Sequence, residues 1–418
     1  MSQPRATWWW LVLFVLVALV VMVVLTPWGS VTPAPPGRVV QVFPPRLVTR
    51  ANAFTAQVLP PTYLSLAVGL LVALWLGLSR RGLRFVRGAA ERLPWWWLQV
   101  IAAVVVVSAV VWLATLPFAV WREAVLRKWG LSTQDWAGWL LDELKGLGLS
   151  VALLSVGLVL LVGLARLLPR WWFLPASLGA AGLVFAMSYV YPVVVEPVFN
   201  DFRPMQAGQL RESLMEMAAE DGVPVDQVLV ADASRRTTAL NAYVSGFGAT
   251  RRIVVYDNLL QVPDDQVRSV VAHELGHADA NDVLVGSTIG AAGTAAAVTA
   301  LALIVSSGWM RRRGLDGARD PVAAATVLAL STALTIVGSP VQSLVSRQVE
   351  ARADLHALEL SRDPRAMIEV QENLAVRNLN DLDPSRFAYF MFSTHPTAAQ
   401  RIEMARTWAA THDARAPL

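Results

Sequence analysis

The chain has 418 residues, 55% of them hydrophobic and only 16% charged, with a mean hydropathy of +0.48, which excludes an ordinary soluble globular protein and makes the bilayer the expected solvent. Its formal charge of +4 and pI near 9.7 do not signal nucleic acid, because the arginines fall in short clusters between apolar runs, and no nucleic-acid partner is expected. There are no cysteines, which excludes disulfides, thiolate metal sites and cysteine nucleophiles and leaves five histidines and the acids as strong ligands.

Apolar runs of about 20 residues, the length that crosses the hydrocarbon as a helix, fall near 8–27, 62–79, 95–119, 149–168, 171–195, 284–309 and 321–345. They predict a multi-pass cell-membrane protein of seven spans, with the lipid bilayer as a partner. The first run is too long for a signal peptide and Pro27-Trp28-Gly29-Ser30 is a poor cleavage site, so it reads as an anchor. Tryptophans cluster beside the runs as Trp8-Trp9-Trp10, Trp95-Trp96-Trp97 and Trp171-Trp172, which reads as interfacial belts. From Pro33 to Pro61 the sequence predicts an extended, proline-rich connector. Ser132-Thr133-Gln134-Asp135 has the form of a capping box and predicts a short surface helix carrying Trp136 and Trp139.

Between the fifth and sixth runs the character changes to charged residues and turn signals, predicting a folded aqueous module. A helix is expected over 209–220, then strands at 227–231, 241–245 and 252–256, with a turn at Gly246-Phe247-Gly248. The organisation expected is an N-terminal membrane region of about five helices over 1–197, an aqueous module over 198–283, a transmembrane hairpin over 284–345, and a helical C-terminal part over 346–418. In that last part Asp363-Pro364 and Asp383-Pro384 mark helix starts. The fold class expected is mainly α, a seven-helix transmembrane bundle with a zincin-like α+β module carrying a small β-sheet.

Pro263-Asp264-Asp265 opens a helix that contains His273-Glu274-Leu275-Gly276-His277. Residues four apart share a helical face, so both imidazoles can meet one ion, while Glu274 lies about 100° around the helix and can reach an activated water. Zn2+, one per chain, would acidify that water, and Glu274 would act as general base. A catalytic zinc needs a third protein ligand. Glu350, in Ser346-Arg347-Gln348-Val349-Glu350, is the best candidate, with Asp354 four residues on as an acceptor orienting an imidazole. Two spans separate His277 from Glu350, and two crossings return the chain to the same side of the membrane.

Glu196-Pro197-Val198-Phe199-Asn200, Asn241-Ala242-Tyr243, Ile253 to Asp257, the His273 to His277 motif, Ser346 to Asp354, and Thr394-His395-Pro396 with Arg401 resemble, in residues and order, the type 1 CAAX prenyl protease family. The resemblance implies a gluzincin zinc metalloendopeptidase, metal on His273, His277 and Glu350, Glu274 catalytic, and seven helices enclosing a water-filled chamber. It also implies that Asn241, Ala242 and Tyr243 form an edge strand binding substrate backbone, and that His395 and Arg401 stabilise the oxyanion. From the residues alone, His395 before a proline reads as a loop or cap residue, and His356 and His412 match no motif and read as solvated. After His277 the chain runs Ala278-Asp279-Ala280-Asn281-Asp282, where relatives often carry an aromatic and a further histidine, so substrate handling can differ.

The arginine clusters at 80–92, 166–170 and 311–313 fall in alternate loops, which by the positive-inside rule face the cytoplasm and place the metal site outside; the resemblance implies the opposite side. The expected partner is a peptide or protein substrate, either lipidated, as in CAAX-type processing, or drawn from membrane-protein quality control. Two other classes are a transporter, which the nearly charge-free spans disfavour, and a non-catalytic zinc or peptide-binding membrane protein, which the presence of Glu274 disfavours.

Overall fold

A computed structural model describes residues 3–29, 42–246 and 251–412. Seven helices within them are long and apolar enough to cross a membrane. They are α1 (Gln3–Leu25), α2 (Pro45–Leu78), α4 (Trp96–Lys128), α5 (Trp136–Leu167), α6 (Phe173–Val190), α9 (Asp282–Val305) and α10 (Ala323–Ser361). The short α3 (Arg80–Ala90) joins α2 to α4. Helix α6 continues through a π-helical turn, Tyr191–Val195, into Glu196–Phe199.

Several of these helices outrun their apolar stretch. At 1.5 Å per residue α2 is about 50 Å long, and it covers most of the segment expected to be an extended connector. Pro45 sits in the first turn, where a missing N–H costs nothing. Pro60 and Pro61 are helix-interior, and the helix continues through them, a tolerance that membrane helices show more than soluble ones. Of the rest of that connector, 33–41 lies outside the described residues. Nor is there a separate surface helix after Ser132: Asp135 caps Gly138 N–H, and the helix it starts runs without a break into the span.

Helix α10 packs on α2 and α9, α2 on α4, α4 on α5, α5 on α6 and α6 on α9, so neighbouring helices close into a ring, with α1 against α9. One end is sealed by an apolar core including Leu76, Val104, Leu158, Phe173, Met310 and Val322. The arginine loops gather there. Arg87 pairs with the buried Asp320 at 2.5 Å, Arg80 donates to the Arg312 carbonyl at 3.1 Å, and Arg166 donates to the Arg319 carbonyl at 3.1 Å. Trp8, Trp9, Trp95, Trp97 and Trp171 project outward as the belt reading expects, but Trp172 is 4% exposed and belongs to the core.

At the other end sits the aqueous module. Helix α7 (Gln209–Glu220) and the three expected strands form, joined by one the sequence did not signal, β1 (Phe202–Pro204). With β2 (Gln227–Ala231), β3 (Ala242–Ser245) and β4 (Arg252–Tyr256), the order is β1-β2-β4-β3. The β2–β4 pair is parallel and the outer pairs are antiparallel, which leaves β3 at an edge. The turn expected after Gly246 runs into undescribed residues. Helix α8 (Asp264–Asp279) lies against this sheet through Val267, Val271, Ala272 and Leu275, which share a core with Val228, Ala242, Ile253 and Val255. Helices α11 (Pro364–Arg377), α12 (Arg386–Phe392) and α13 (Ala398–Thr411) complete the module. Asp363 caps α11 as expected, whereas α12 is capped by Ser385, two residues beyond Asp383.

Candidate metal centre

Helix α8 carries His273, Glu274 and His277, and α10 carries Glu350 and Asp354 on a stretch continuous with the span itself. Gly276 lets the two helices close. A Cβ there would lie 3.0 Å from His356 Cβ and 3.1 Å from its Cγ, so a side chain would push α10 outward. His356 is not solvated as expected; it is partly buried and contacts Asp221 through Nε2 at 2.8 Å. His412, the other histidine without a motif, stacks on Trp408.

Ligand atoms of His273, His277 and Glu350 all lie within 4.8 Å of one another. The two imidazole Nε2 atoms are 3.2 Å apart, and Glu350 Oε2 is 3.2 Å from His273 Nε2. Each imidazole is held from behind through Nδ1, His273 by Asp354 at 2.9 Å and His277 by Asp282 at 2.8 Å. A Nδ1–H donated to a carboxylate leaves Nε2 as the free lone pair, the tautomer a metal requires. Glu350 Oε2 is buried and makes no well-aligned hydrogen bond, its polar neighbours being the ring nitrogens of His273 at 3.2 Å and His395 at 3.3 Å, an arrangement that a cation would stabilise. Two neutral nitrogens and one carboxylate suit a borderline divalent ion, so the residues present fit a metal.

The surroundings set the charges. Burial opposes protonation of His277, but Asp282 and Glu350 outweigh it and push the imidazole up to about 10. Burial likewise opposes protonation of His273, and Asp354 with Glu350 again raises it. The Glu274 carboxyl is raised by burial, against the pull of His273 and His277. Asp354 is fully buried and accepts from Arg401 Nε at 2.9 Å as well as from Nη2.

Asn241, His273, Glu274, Asp354, His395 and Arg401 line one cleft of about 460 Å3. His395 is exposed in it, with Nε2 3.3 Å from Glu350 Oε2 and Nδ1 2.9 Å from Thr394 Oγ1. Arg401 reaches the site, but its fork is occupied by Asp354. Ala242 is buried in the module core and Tyr243 turns away to Glu196, 3.2 Å from its hydroxyl, so neither presents its side chain to the cleft. Sequence reasoning missed Asp282 and Asn378. Asp282 returns to His277 because Asn281 takes a left-handed conformation, φ 55, in the link between α8 and α9. Asn378 accepts from Leu240 N–H at 3.0 Å and donates to its carbonyl at 3.3 Å, fixing the lead-in to β3. An acid just after the motif at a helix start was the available signal for Asp282; Asn378 had none.

Fold and site together define an integral-membrane metalloprotease. Residues 204–409 match the family model described as peptidase family M48, and residues 33–201 match the one described as CAAX prenyl protease N-terminal, five membrane helices. The chain is 31% identical over 309 residues to a CAAX prenyl protease 1 homolog of Oryza sativa subsp. japonica, covering 69% of this chain and 68% of that one. It is 29% identical over 337 residues to the uncharacterized metalloprotease YhfN of Bacillus subtilis (strain 168), covering 79% and 78%. The crystal structure of S. mikatae Ste24p superposes with a TM-score of 0.72 at 20% identity, over 96% of this chain and 98% of that one. The chain belongs to the CAAX prenyl protease family of M48 zinc metalloproteases.

Proposed function

We propose that this chain is a zinc endopeptidase in which His273, His277 and Glu350 hold a single Zn2+ and Glu274 is the general base. The observation that carries the reading is the buried Glu350 carboxylate converging with two imidazoles whose Nδ1 atoms are both anchored to carboxylates. Zinc supplies Lewis acidity, acidifying a water and polarising the scissile carbonyl. Glu274 takes the proton at its carboxylate and passes it to the leaving amine. His395, exposed beside Glu350 with Nε2 3.3 Å from its Oε2, is the donor to the carbonyl oxygen as that oxygen gains charge. Arg401 adds positive charge from behind and, through Asp354, holds the His273 ring in place.

Substrate binds in extended form along the free edge of β3. Asn241 carbonyl accepts from Tyr256 N–H, so by antiparallel alternation the backbone groups of Ala242 and Val244 are the ones facing outward. The names of the relatives point to CAAX prenyl peptides as substrate, and a membrane bundle beside the cleft suits a lipid-bearing peptide; quality-control proteolysis would need no lipid.

The test is cleavage of matched prenylated and unprenylated peptides by purified full-length protein. Glu274→Gln is expected to lower kcat by about a thousandfold while keeping the metal, and a strong preference for the prenylated peptide is expected. Equal cleavage of both would favour quality control, and an active Glu274→Gln would remove the base assignment.

A further inference from the structure

The cleft extends past the catalytic groups between α8 and α11, and part of its lining has no role in the chemistry above. Ser269, one turn before His273, and Gln371 on α11 both line it and are each only 4% exposed. Among the described residues neither side chain makes a hydrogen bond, although neither polar tip is sealed off from the cleft. Buried polar groups of this kind demand a partner. Asp381 also lines the cleft, accepts the Asp383 backbone N–H at 3.2 Å, and has no ion-pair partner among the described residues. Burial holds its carboxyl above the usual range, against the pull of the Asp383 backbone N–H. Arg401, the guanidinium lining the same cleft, is committed to Asp354. Met367, Val370 and Leu374 supply apolar lining to the same cleft.

An apolar wall with an uncompensated acid and spare acceptors matches a side chain that has a hydrocarbon stem and a cationic tip. We propose that this part of the cleft is a specificity subsite for a lysine or arginine of the substrate. The stem lies along Met367, Val370 and Leu374, and the charged end donates to Asp381, the Gln371 carbonyl and the Ser269 hydroxyl. The proposal rests on the peptidase reading for its location next to the scissile bond, and it adds a substrate class that the metal site does not specify.

The test uses full-length Glu274→Gln protein in detergent, so that bound peptide survives, and labelled peptides differing at one scanned position among lysine, norleucine and glutamate. At one position lysine is expected to bind about tenfold tighter than norleucine, the size of one charge-assisted hydrogen bond. Asp381→Asn should erase that advantage. Asp381→Lys should invert it in favour of glutamate, a gain that misfolding cannot produce. No lysine advantage at any position, or one that survives both substitutions, overturns the subsite. Cleavage of the norleucine peptide by wild type is followed in parallel. Cleavage without selectivity overturns the subsite alone, whereas selective binding without any cleavage supports the subsite and overturns the peptidase reading.

Discussion

Helix α10 meets two different environments along one continuous length. At its start Ala323, Ala324, Ala325 and Ala329 are fully buried, and the backbone of Gly77 on α2 comes so close that a Cβ there would sit 2.4 Å from the Ala325 carbonyl oxygen. Thr326 donates to the Gly77 carbonyl at 2.7 Å. Near its other end the buried residues include Arg347, Glu350 and Asp354. Arg347 donates to the Tyr389 and Ser393 carbonyls at 2.9 and 2.6 Å, and Asp354 is gripped by Arg401. Small residues fix where the helix lies, whereas a polar network fixes how individual side chains point. The two ends should therefore fail differently when changed.

The largest effect is expected at Asp354. Asp354→Ala leaves Arg401 as an unpaired buried charge, costing about 3–5 kcal/mol, and frees the His273 ring, weakening metal by roughly 10–100-fold. Thermal unfolding and competition with a chelator measure the two losses. Asp282→Ala should cost metal affinity in the same roughly 10–100-fold range, with less loss of stability because Asp282 is less deeply buried and Arg352 remains near the surface. An unchanged affinity in both variants would erase the distinction drawn between the ends.

A pH effect comes next. Without metal, His277 holds its proton up to about pH 10, so binding must expel it. Apparent metal affinity should therefore rise with pH through neutrality, by up to about tenfold per unit for each proton displaced. Chelator competition at acid, neutral and alkaline pH checks the sign. The smallest effect on the metal is expected at the packed end. Gly77→Leu forces α2 from α10 and should cost about 1–3 kcal/mol by overpacking, lowering Tm while leaving metal stoichiometry intact.

The same contrast explains what could be read from the sequence. His273, Glu274 and His277 were legible because their chemistry is local, one helical turn apart. Glu350 and Asp354 were legible through helical spacing and the two-crossing return. Asp282 and Asn378 were not, since each acts through a turn or a long-range contact that no periodicity encodes. Span number was read correctly because hydrophobic runs report it, but span length was not. Hydropathy ends at the membrane surface, whereas α2 and α10 continue as helices into the aqueous end. Proline misled at Pro60 and Pro61, where helix packing overrides local preference. Strand β1 was too short to show an alternation.

The most direct test of the metal centre is the metal content of purified wild type, Glu274→Gln and Glu350→Ala. The account predicts one zinc per chain in wild type and in Glu274→Gln, and strong depletion in Glu350→Ala. Full zinc occupancy in Glu350→Ala would contradict it, because the third ligand would then lie elsewhere.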